Sequence, residues 1–236
     1  MSNLILVSGE KGGTGKSFIC RSILQYFLDH QMVCVVYDTD RSNPDVRRCY
    51  GRALTVNFGI FGEGERYEDT ANAVFNSALQ QTTIVNLPAQ VFIPVKTWVE
   101  QNDLFEVAQE AGVQFKIWFV SDCGFDSLSL LRKSLDYFKT NAPHVVVKNY
   151  GKTEDWAAFE EDTALQQLIG TYNATVIDFP KFVGSVVRNR IDELSLTFGE
   201  ALTHEKFDLI ERQRVKKFLR EAYQAFESAG VFNHAG

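Results

Sequence analysis

The sequence predicts an α/β fold in which helices cover both faces of a single, doubly wound and mainly parallel sheet. Short apolar runs rich in β-branched residues alternate with amphipathic segments of helix length along the whole chain. These runs are nearly continuous in apolar residues, as expected for parallel strands buried on both faces. A length of 236 residues is enough for one such domain with a full core.

The alternation gives six strands and six helices. The predicted strands lie near residues 3–8, 33–37, 83–87, 115–120, 145–148 and 175–179. The predicted helices lie near residues 16–29, 67–80, 96–111, 127–140, 157–169 and 205–227. Asp126 and Ser127 are expected to cap a helix start, and Gly112 and Gly170 to end helices. The glycine-rich segment 57–68 is expected to be a loop or short hairpin.

Composition narrows the class of protein. A net charge of −6 disfavours a protein that coats DNA generally. No apolar run is long enough to span a bilayer, and no basic segment of a signal peptide precedes the first strand. The cysteines and histidines show no metal-ligand spacing, and Cys20 and Cys34 are expected in the core. We therefore expect one cytoplasmic domain over residues 1–229 with a flexible tail at 230–236.

The connection between the first strand and the first helix predicts a phosphate-binding loop. Residues 7–17 read VSGEKGGTGKS. Glycines let successive N–H groups face phosphate oxygens, and the helix N-terminus adds free N–H groups and a positive dipole end. Lys16 is expected to reach the β- and γ-phosphates, and the Ser17 hydroxyl to hold Mg²⁺. Glu10 occupies the position of the usual first glycine. The alternative, a chance glycine-rich turn, is disfavoured by the strand–loop–helix context.

The form of this loop, K-G-G-x-G-K-S, resembles the deviant Walker-A ATPases of the ParA/MinD superfamily, within the SIMIBI class of P-loop proteins. The resemblance implies a homodimer that binds ATP and Mg²⁺. It also implies that Lys11 crosses the dimer interface to the nucleotide of the partner subunit. The implied nucleotide-binding residues in the loop are Lys11, Gly12, Gly13, Thr14, Gly15, Lys16, Ser17 and Phe18.

Two aspartates follow the second strand, where ligands bind in doubly wound sheets. Asp38 and Asp40 are one residue apart, so at strand spacing their side chains point the same way. The resemblance places Asp40 next to Mg²⁺ and the γ-phosphate. The alternative is a turn-forming cluster before Pro44.

The third core strand ends at Asn86, where the superfamily has the Walker-B aspartate. An amide offers Mg²⁺ no negative charge. The resemblance implies a contact with the metal through water, and hydrolysis that is slow or absent is the alternative.

The remaining strand ends carry weaker signals. Asp122 is expected to face the nucleotide or a partner. The Asn149 amide can donate and accept together, which suits an adenine edge, although a strand-ending Asn is also a common turn residue. The resemblance implies that Asn149 and Pro180 contact the base.

The last predicted helix is amphipathic. Its apolar positions, expected to pack on the sheet, are Phe207, Ile210, Phe218, Leu219, Tyr223 and Phe226. The basic residues in this region are Arg188, Arg190, Arg212, Arg214, Lys216, Lys217 and Arg220. The resemblance implies non-specific DNA binding by these basic residues, because ParA-like proteins use this part of the chain in that way. The acidic residues nearby equally suit the alternative, a helix face exposed to solvent. No membrane-binding tail is expected.

The resemblance runs along the whole chain in motif order. Shorter motifs are similar to the TraL/MobD/StbB group of plasmid transfer and stability proteins. These are KSFI at 16–19, YDTD at 37–40, LPAQ at 87–90 and VKN at 147–149, with Trp156 and Phe159 shortly after.

The resemblance implies a dimeric Mg²⁺-ATPase that acts as a switch in plasmid mobilisation, conjugation or partition. Lys11, Lys16 and Asp40 are the implied catalytic residues, and a relaxase or an adaptor the implied partner. Three alternatives stay open: a non-hydrolysing nucleotide-binding scaffold, a metabolic ATP-dependent synthetase, and an iron–sulfur relative, which lone Cys123 does not favour.

Overall fold

The computed structural model describes residues 2–9, 11–61 and 68–232. Within them, one sheet of seven parallel strands has the order β3-β2-β4-β1-β5-β6-β7. The strands are β1 (Ser2–Ser8), β2 (Val35–Asp38), β3 (Val56–Phe58), β4 (Thr83–Asn86), β5 (Val113–Ser121), β6 (His144–Asn149) and β7 (Thr175–Phe179). The predicted parallel, doubly wound fold is confirmed.

Helices pack on both faces of the sheet. They are α1 (Lys16–Asp29), α2 (Asp45–Tyr50), α3 (Glu68–Ala78), α4 (Phe92–Gln101), α5 (Leu104–Ala111), α6 (Phe125–Phe138), α7 (Ala157–Glu160), α8 (Thr163–Thr171), α9 (Ser185–Glu193), α10 (Phe198–Ala201) and α11 (Leu209–Ser228). None of these described helices combines the length and apolar character needed to cross a bilayer.

The central strand shows how the sequence builds two cores. In β1, Leu4 and Leu6 face one cluster, which includes side chains of α3 to α8. Ile5 and Val7 face the other, which includes side chains of α1, α2 and α9 to α11. Because alternate residues of a strand point to opposite faces, a continuous apolar run supplies both layers.

Two predicted long helices are each divided in two. Residues 96–111 were expected to form one helix, but Asp103 adopts the left-handed conformation, with φ +45°, and separates α4 from α5. Residues 157–169 divide at Asp162, whose side chain accepts a hydrogen bond from the N–H of Leu165 and caps α8. A single left-handed or capping residue is enough to stop an apolar repeat from continuing as one helix.

The predicted helix ends were partly wrong. Helix α6 begins at Phe125 after Gly124, and the hydroxyl of Ser127 contacts that of Ser121 at 3.0 Å instead of capping the helix. Gly112 ends α5 with φ +68°, as predicted. Gly170 lies inside α8 and does not end it.

Several short elements escaped the sequence prediction. Strand β3, in and beside the segment expected to be a loop or hairpin, pairs with β2 at the sheet edge. Helices α2, α9 and α10 were not predicted either. Residues 62–67 of that segment and 233–236 of the expected tail lie outside the described residues.

The last helix begins later than predicted. Asp208 and Glu211 form a reciprocal capping box, so α11 starts at Leu209 and not near residue 205. Phe207, Phe218 and Phe226 are buried as expected, whereas Ile210 is 62% exposed and does not pack on the sheet.

Candidate functional site

The glycine-rich loop lies where the strand order reverses. It follows β1, which sits between β4 and β5, and it leads directly into α1. In sheets of this kind the crevice at such a switch point is the usual ligand site. The ends of β2, β4, β5 and β6 lie at the same edge because all strands run parallel.

The loop backbone leaves room for a ligand. Gly13 and Gly15 have φ values of +83° and +102°, which favour glycine. A Cβ placed on Gly12 or Gly13 would meet no heavy atom of the described residues within 4 Å. A Cβ on Gly15 would instead lie 2.5 Å from Nδ2 of Asn149, so this position accepts only glycine. The loop therefore combines an open side, suited to phosphate groups, with a closely packed base.

Lys16 folds back over the loop. Its Nζ donates to the carbonyl oxygens of Gly9 at 2.8 Å and Lys11 at 3.3 Å, and the residue is only 8% exposed. The ammonium charge is thus held against the carbonyl oxygens of the loop, within the segment predicted to bind phosphate. Glu10 lies outside the described residues.

A polar cluster lies beside Ser17. Asn86 is fully buried, and its Nδ2 lies 3.3 Å from Oγ of Ser17 and 3.0 Å from Oδ1 of Asp38. The backbone N–H of Arg47 donates to the other carboxylate oxygen of Asp38 at 3.0 Å. Burial raises the pKa of the Asp38 carboxyl, although the hydrogen bonds from Asn86 and Arg47 oppose the rise.

The donor set of this cluster fits Mg²⁺. Oδ1 of Asn86 is buried and has no hydrogen-bond partner among the described residues. An orphaned amide oxygen, a hydroxyl and a carboxylate are hard oxygen donors of the kind that Mg²⁺ prefers. Asp38 is therefore the carboxylate of the cluster, a role that the sequence prediction had not given it.

The two aspartates after the second strand have different partners. Strand β2 ends at Asp38, so strand geometry does not continue to Asp40. Oδ1 of Asp40 accepts the N–H groups of Ser42 and Asn43 at 3.1 and 3.2 Å and closes a turn. The strand spacing from which a common direction was expected therefore does not extend to Asp40, and the catalytic and metal roles of Asp40 stay predictions.

Asn149 supports the loop from behind. Its Nδ2 donates to the carbonyl oxygen of Thr14 at 2.7 Å, and its Oδ1 accepts the N–H of Gly151 at 3.0 Å. The residue also borders a cleft of about 810 Å³ that Gly15, Phe18 and Pro180 line as well. This volume suits a small-molecule ligand. The structure thus brings the predicted base-site residues together, and their contact with adenine stays a prediction.

Lys11 is engaged within its own subunit. Its Nζ lies 3.0 Å from Oδ2 of Asp122, at the start of the β5–α6 connection. Partial burial would raise the pKa of Asp122, but the hydrogen bonds from Lys11 and from the N–H of Gly124 hold it below its ordinary value. Sequence analysis singled out both residues without pairing them, because only the adjacency of β1 and β5 brings them together.

The C-terminal basic residues do not form one free positive face. Arg190 pairs with Glu211 at 2.6 Å, and Lys217 pairs with Glu221 at 3.7 Å. Arg188 lines the cleft beside Asn149. Among the described residues, no ion pair involves Arg214, Lys216 or Arg220.

Comparison with known proteins supports the resemblance seen in the motifs. No protein-family model matches the chain. Protein TraL from Escherichia coli is 23% identical, covering 98% of this chain and 100% of TraL. Protein MobD from Acidithiobacillus ferrooxidans is 22% identical, covering 78% of this chain and 80% of MobD.

A solved structure shows the same fold. The septum site-determining protein MinD from Pyrococcus horikoshii, complexed with Mg-ADP, superposes with a TM-score of 0.55 at 11% identity and 98% coverage of both chains. The predicted resemblance to TraL and MobD is confirmed, and the predicted fold matches that of MinD.

Proposed function

We propose that the protein is a cytoplasmic, Mg²⁺-dependent ATP-binding and ATP-hydrolysing switch that works as a homodimer in plasmid mobilisation, conjugative transfer or partition. The observation that carries this proposal is the loop at the strand-order reversal, with Lys16 held against its carbonyl oxygens and the Ser17 cluster at its end. Similarity to TraL and MobD supports the plasmid setting, and the Mg-ADP complex of MinD supports the choice of ligand.

The residues of the site have distinct roles in the proposed reaction. Bound MgATP supplies the phosphoryl group and a divalent charge. Backbone N–H groups of residues 12–17 and the ammonium group of Lys16 hold the β- and γ-phosphates and neutralise developing charge. Ser17 and Asp40, with Asn86 through a water molecule, would hold the metal, and Asp40 would also orient the attacking water.

The surface around Lys11, at the carboxyl ends of the strands, supports the proposed dimer. Ile93 and Phe125 are 57% and 83% exposed. A pocket of about 580 Å³ beside them is lined by Lys11, Gly12, Phe92 and Leu130. Exposed apolar side chains around a functional residue are typical of a protein–protein interface. Lys11 would contact the nucleotide of the partner subunit there, and hydrolysis would change the affinity for a relaxase or an adaptor.

Lys16 provides the direct test. Lys16→Ala removes the charge beside the phosphates, and we expect calorimetry to show no measurable ATP binding while the fold, measured by circular dichroism, is unchanged. Lys216→Ala, which removes an exposed lysine of α11, is the matched control and should bind ATP like the unmodified protein. Equal ATP affinity in a folded Lys16→Ala protein would refute the phosphate-loop assignment.

A nucleotide-binding scaffold without turnover is a second candidate. Asn86 favours it, because a neutral amide that donates a hydrogen bond to Asp38 stands where a Walker-B carboxylate would add negative charge. ATP-dependent dimerisation without phosphate release would select the scaffold. Phosphate release that needs both Mg²⁺ and Lys16 would select the ATPase.

A further inference from the structure

We propose that Asp122 is an intramolecular latch that holds Lys11 in its own subunit and opposes formation of the ATP-bound dimer. The proposal deepens the proposed function and rests on it, because it assumes that Lys11 works across the interface. It assigns Asp122 a regulatory, positioning role that the motifs do not give it.

The contact is well fixed on the side of the carboxylate. Oδ2 of Asp122 lies 3.0 Å from Nζ of Lys11, and Oδ1 accepts the N–H of Gly124 at 3.1 Å. The Asp122 side chain is only 17% exposed, whereas that of Lys11 is 42% exposed. The carboxylate is therefore held in place and ionised, and the lysine is the partner that can leave.

The turn after β5 is built closely around this pair. Cys123 adopts a left-handed conformation with φ +62°, and its N–H donates to Oγ of Ser121 at 3.2 Å. A Cβ on Gly124 would lie 3.1 Å from both Oδ1 of Asp122 and Nζ of Lys11. Glycine at this position therefore leaves the space in which the ammonium group meets the carboxylate.

The ion pair competes with the proposed dimer for one ammonium group. Lys11 cannot contact its own Asp122 and the partner subunit's nucleotide at the same time. Two such contacts must open when a symmetric dimer forms. For partly exposed ion pairs, losing both should raise the dissociation constant of the dimer by roughly 2- to 30-fold. The backbone oxygen of Lys11 also accepts a hydrogen bond from Lys16, so the latch lies next to the phosphate-binding lysine.

Asp122→Asn tests the latch with minimal change of shape, since the amide oxygen can still accept the N–H of Gly124. We expect this variant to lower the dimer dissociation constant, measured by analytical ultracentrifugation with a slowly hydrolysed ATP analogue, by roughly 2- to 30-fold. Asp136→Asn is the matched control, because Asp136 is an exposed acid of the same helix, α6, that does not line the pocket around Lys11. It should leave the constant unchanged.

A second measurement tests the contact between Lys11 and Asp122 in the absence of nucleotide. Acylation of the Lys11 amine near neutral pH, followed by peptide mass spectrometry, should proceed faster in Asp122→Asn than in the unmodified protein or in Asp136→Asn. Gly124→Ala, which places a methyl group against the pair, should act in the same direction in both assays. It serves as the second variant if Asp122→Asn does not fold.

The outcomes separate the latch from the proposed function. Tighter dimerisation of Asp122→Asn together with faster acylation of its Lys11 supports the latch. Equal or weaker dimerisation of Asp122→Asn, while the unmodified protein dimerises with ATP, overturns the latch and leaves the proposed function intact. No ATP-dependent dimer of the unmodified protein overturns the proposed dimeric switch, and the latch with it.

Discussion

Asn86 sets the chemical character of the candidate site at the scale of single residues. Its amide donates to both Ser17 and Asp38, so the described cluster contains one carboxylate and two neutral side chains. An aspartate at this position would face Asp38 with a second negative charge in a buried setting. Such a pair is stable only when one proton or a cation compensates for the charge.

Asn86→Asp should therefore make the protein more dependent on Mg²⁺. We expect a lower melting temperature without metal, a larger stabilisation on adding Mg²⁺, and an ATPase rate several-fold above that of the unmodified protein. Thermal unfolding with and without Mg²⁺, together with phosphate release, measures all three. Asn86→Ala removes the donor without adding charge and serves as the control. Unchanged or lower turnover would mean that Asp38 or Asp122 already supplies the needed acid.

Helix ends show, at the scale of elements, where local sequence decides structure. Asp208 begins α11 with a capping box, whereas Asp126, a predicted cap residue, lies within the first turn of α6. The two aspartates therefore allow a direct comparison between a structural cap and an apparent one.

Asp208→Ala should destabilise the protein by about 1 kcal/mol, because it leaves N-terminal N–H groups of α11 without an acceptor. Asp126→Ala is the control and should cost less than half as much, since only a weak interaction with the helix dipole is lost. Urea unfolding monitored by circular dichroism measures both free energies of unfolding. Equal losses would show that Asp208 does not act as a cap.

His144, the first residue of β6, makes the packing between β6 and α6 sensitive to acid. Its ring contacts the hydroxyl of Ser134 at 2.8 Å, and burial lowers its pKa from 6.5 to about 4. The pKa of folded His144 lies below its unfolded value. Its neutral form therefore contributes stability above pH 6.5, and this contribution is lost as the pH falls toward 4.

Titration of this histidine should lower the free energy of unfolding by about 2–3 kcal/mol between pH 7 and pH 4.5. His144→Gln keeps a polar partner for Ser134 without titrating, so its stability should fall less over this range. The comparison is made by urea unfolding at both pH values, with His204→Gln as the control. A parallel decline of His144→Gln and the unmodified protein would contradict the assignment.

Sequence patterns predicted the elements that depend on local signals. Helix α1 spans the predicted residues 16–29. Its apolar spacing and the glycine that precedes it both indicate a helix in this segment. The divisions at Asp103 and Asp162 were missed because an aspartate in an amphipathic repeat looks like an ordinary solvent-facing residue. Strand β3 has three residues and depends on its pairing with β2, which no local pattern encodes.

The residues of the candidate site could be predicted from local sequence patterns, whereas several contacts between them could not. The loop and the strand-end residues Asn86 and Asn149 could be found because each follows its own apolar run. The contacts of Lys11 with Asp122 and of Asn86 with Asp38 depend on which strands are neighbours. Strand order is a property of the whole sheet, so these pairs could not be predicted from spacing.

Charge distribution is a property of the whole molecule, and it restricts the proposed partners. The net charge is −6, and two of the predicted basic residues, Arg190 and Lys217, are paired with glutamates. A monomer therefore offers a phosphate backbone fewer free cations in this region than the sequence suggests. A dimer would double those that remain, including Lys216 and Arg220.

We expect any binding to random-sequence duplex DNA to be weak, dependent on ATP and centred on residues 188–220. The logarithm of the affinity should fall more steeply with the logarithm of salt concentration when ATP is present, because more phosphates are contacted. Fluorescence anisotropy over a salt series, with and without ATP, measures this slope. Absence of binding at low salt with ATP would exclude DNA and leave a relaxase or an adaptor as the partner.

The hydrogen bond from Asn149 to Thr14 bears on how fast a ligand can bind. It ties the loop to β6, and the close fit of Gly15 against the same amide restricts the backbone further. Folding therefore orders these residues before any ligand arrives, so capture of a nucleotide costs little additional conformational entropy. Association should then approach a rate limited by encounter, and selectivity among nucleotides should appear in their residence times.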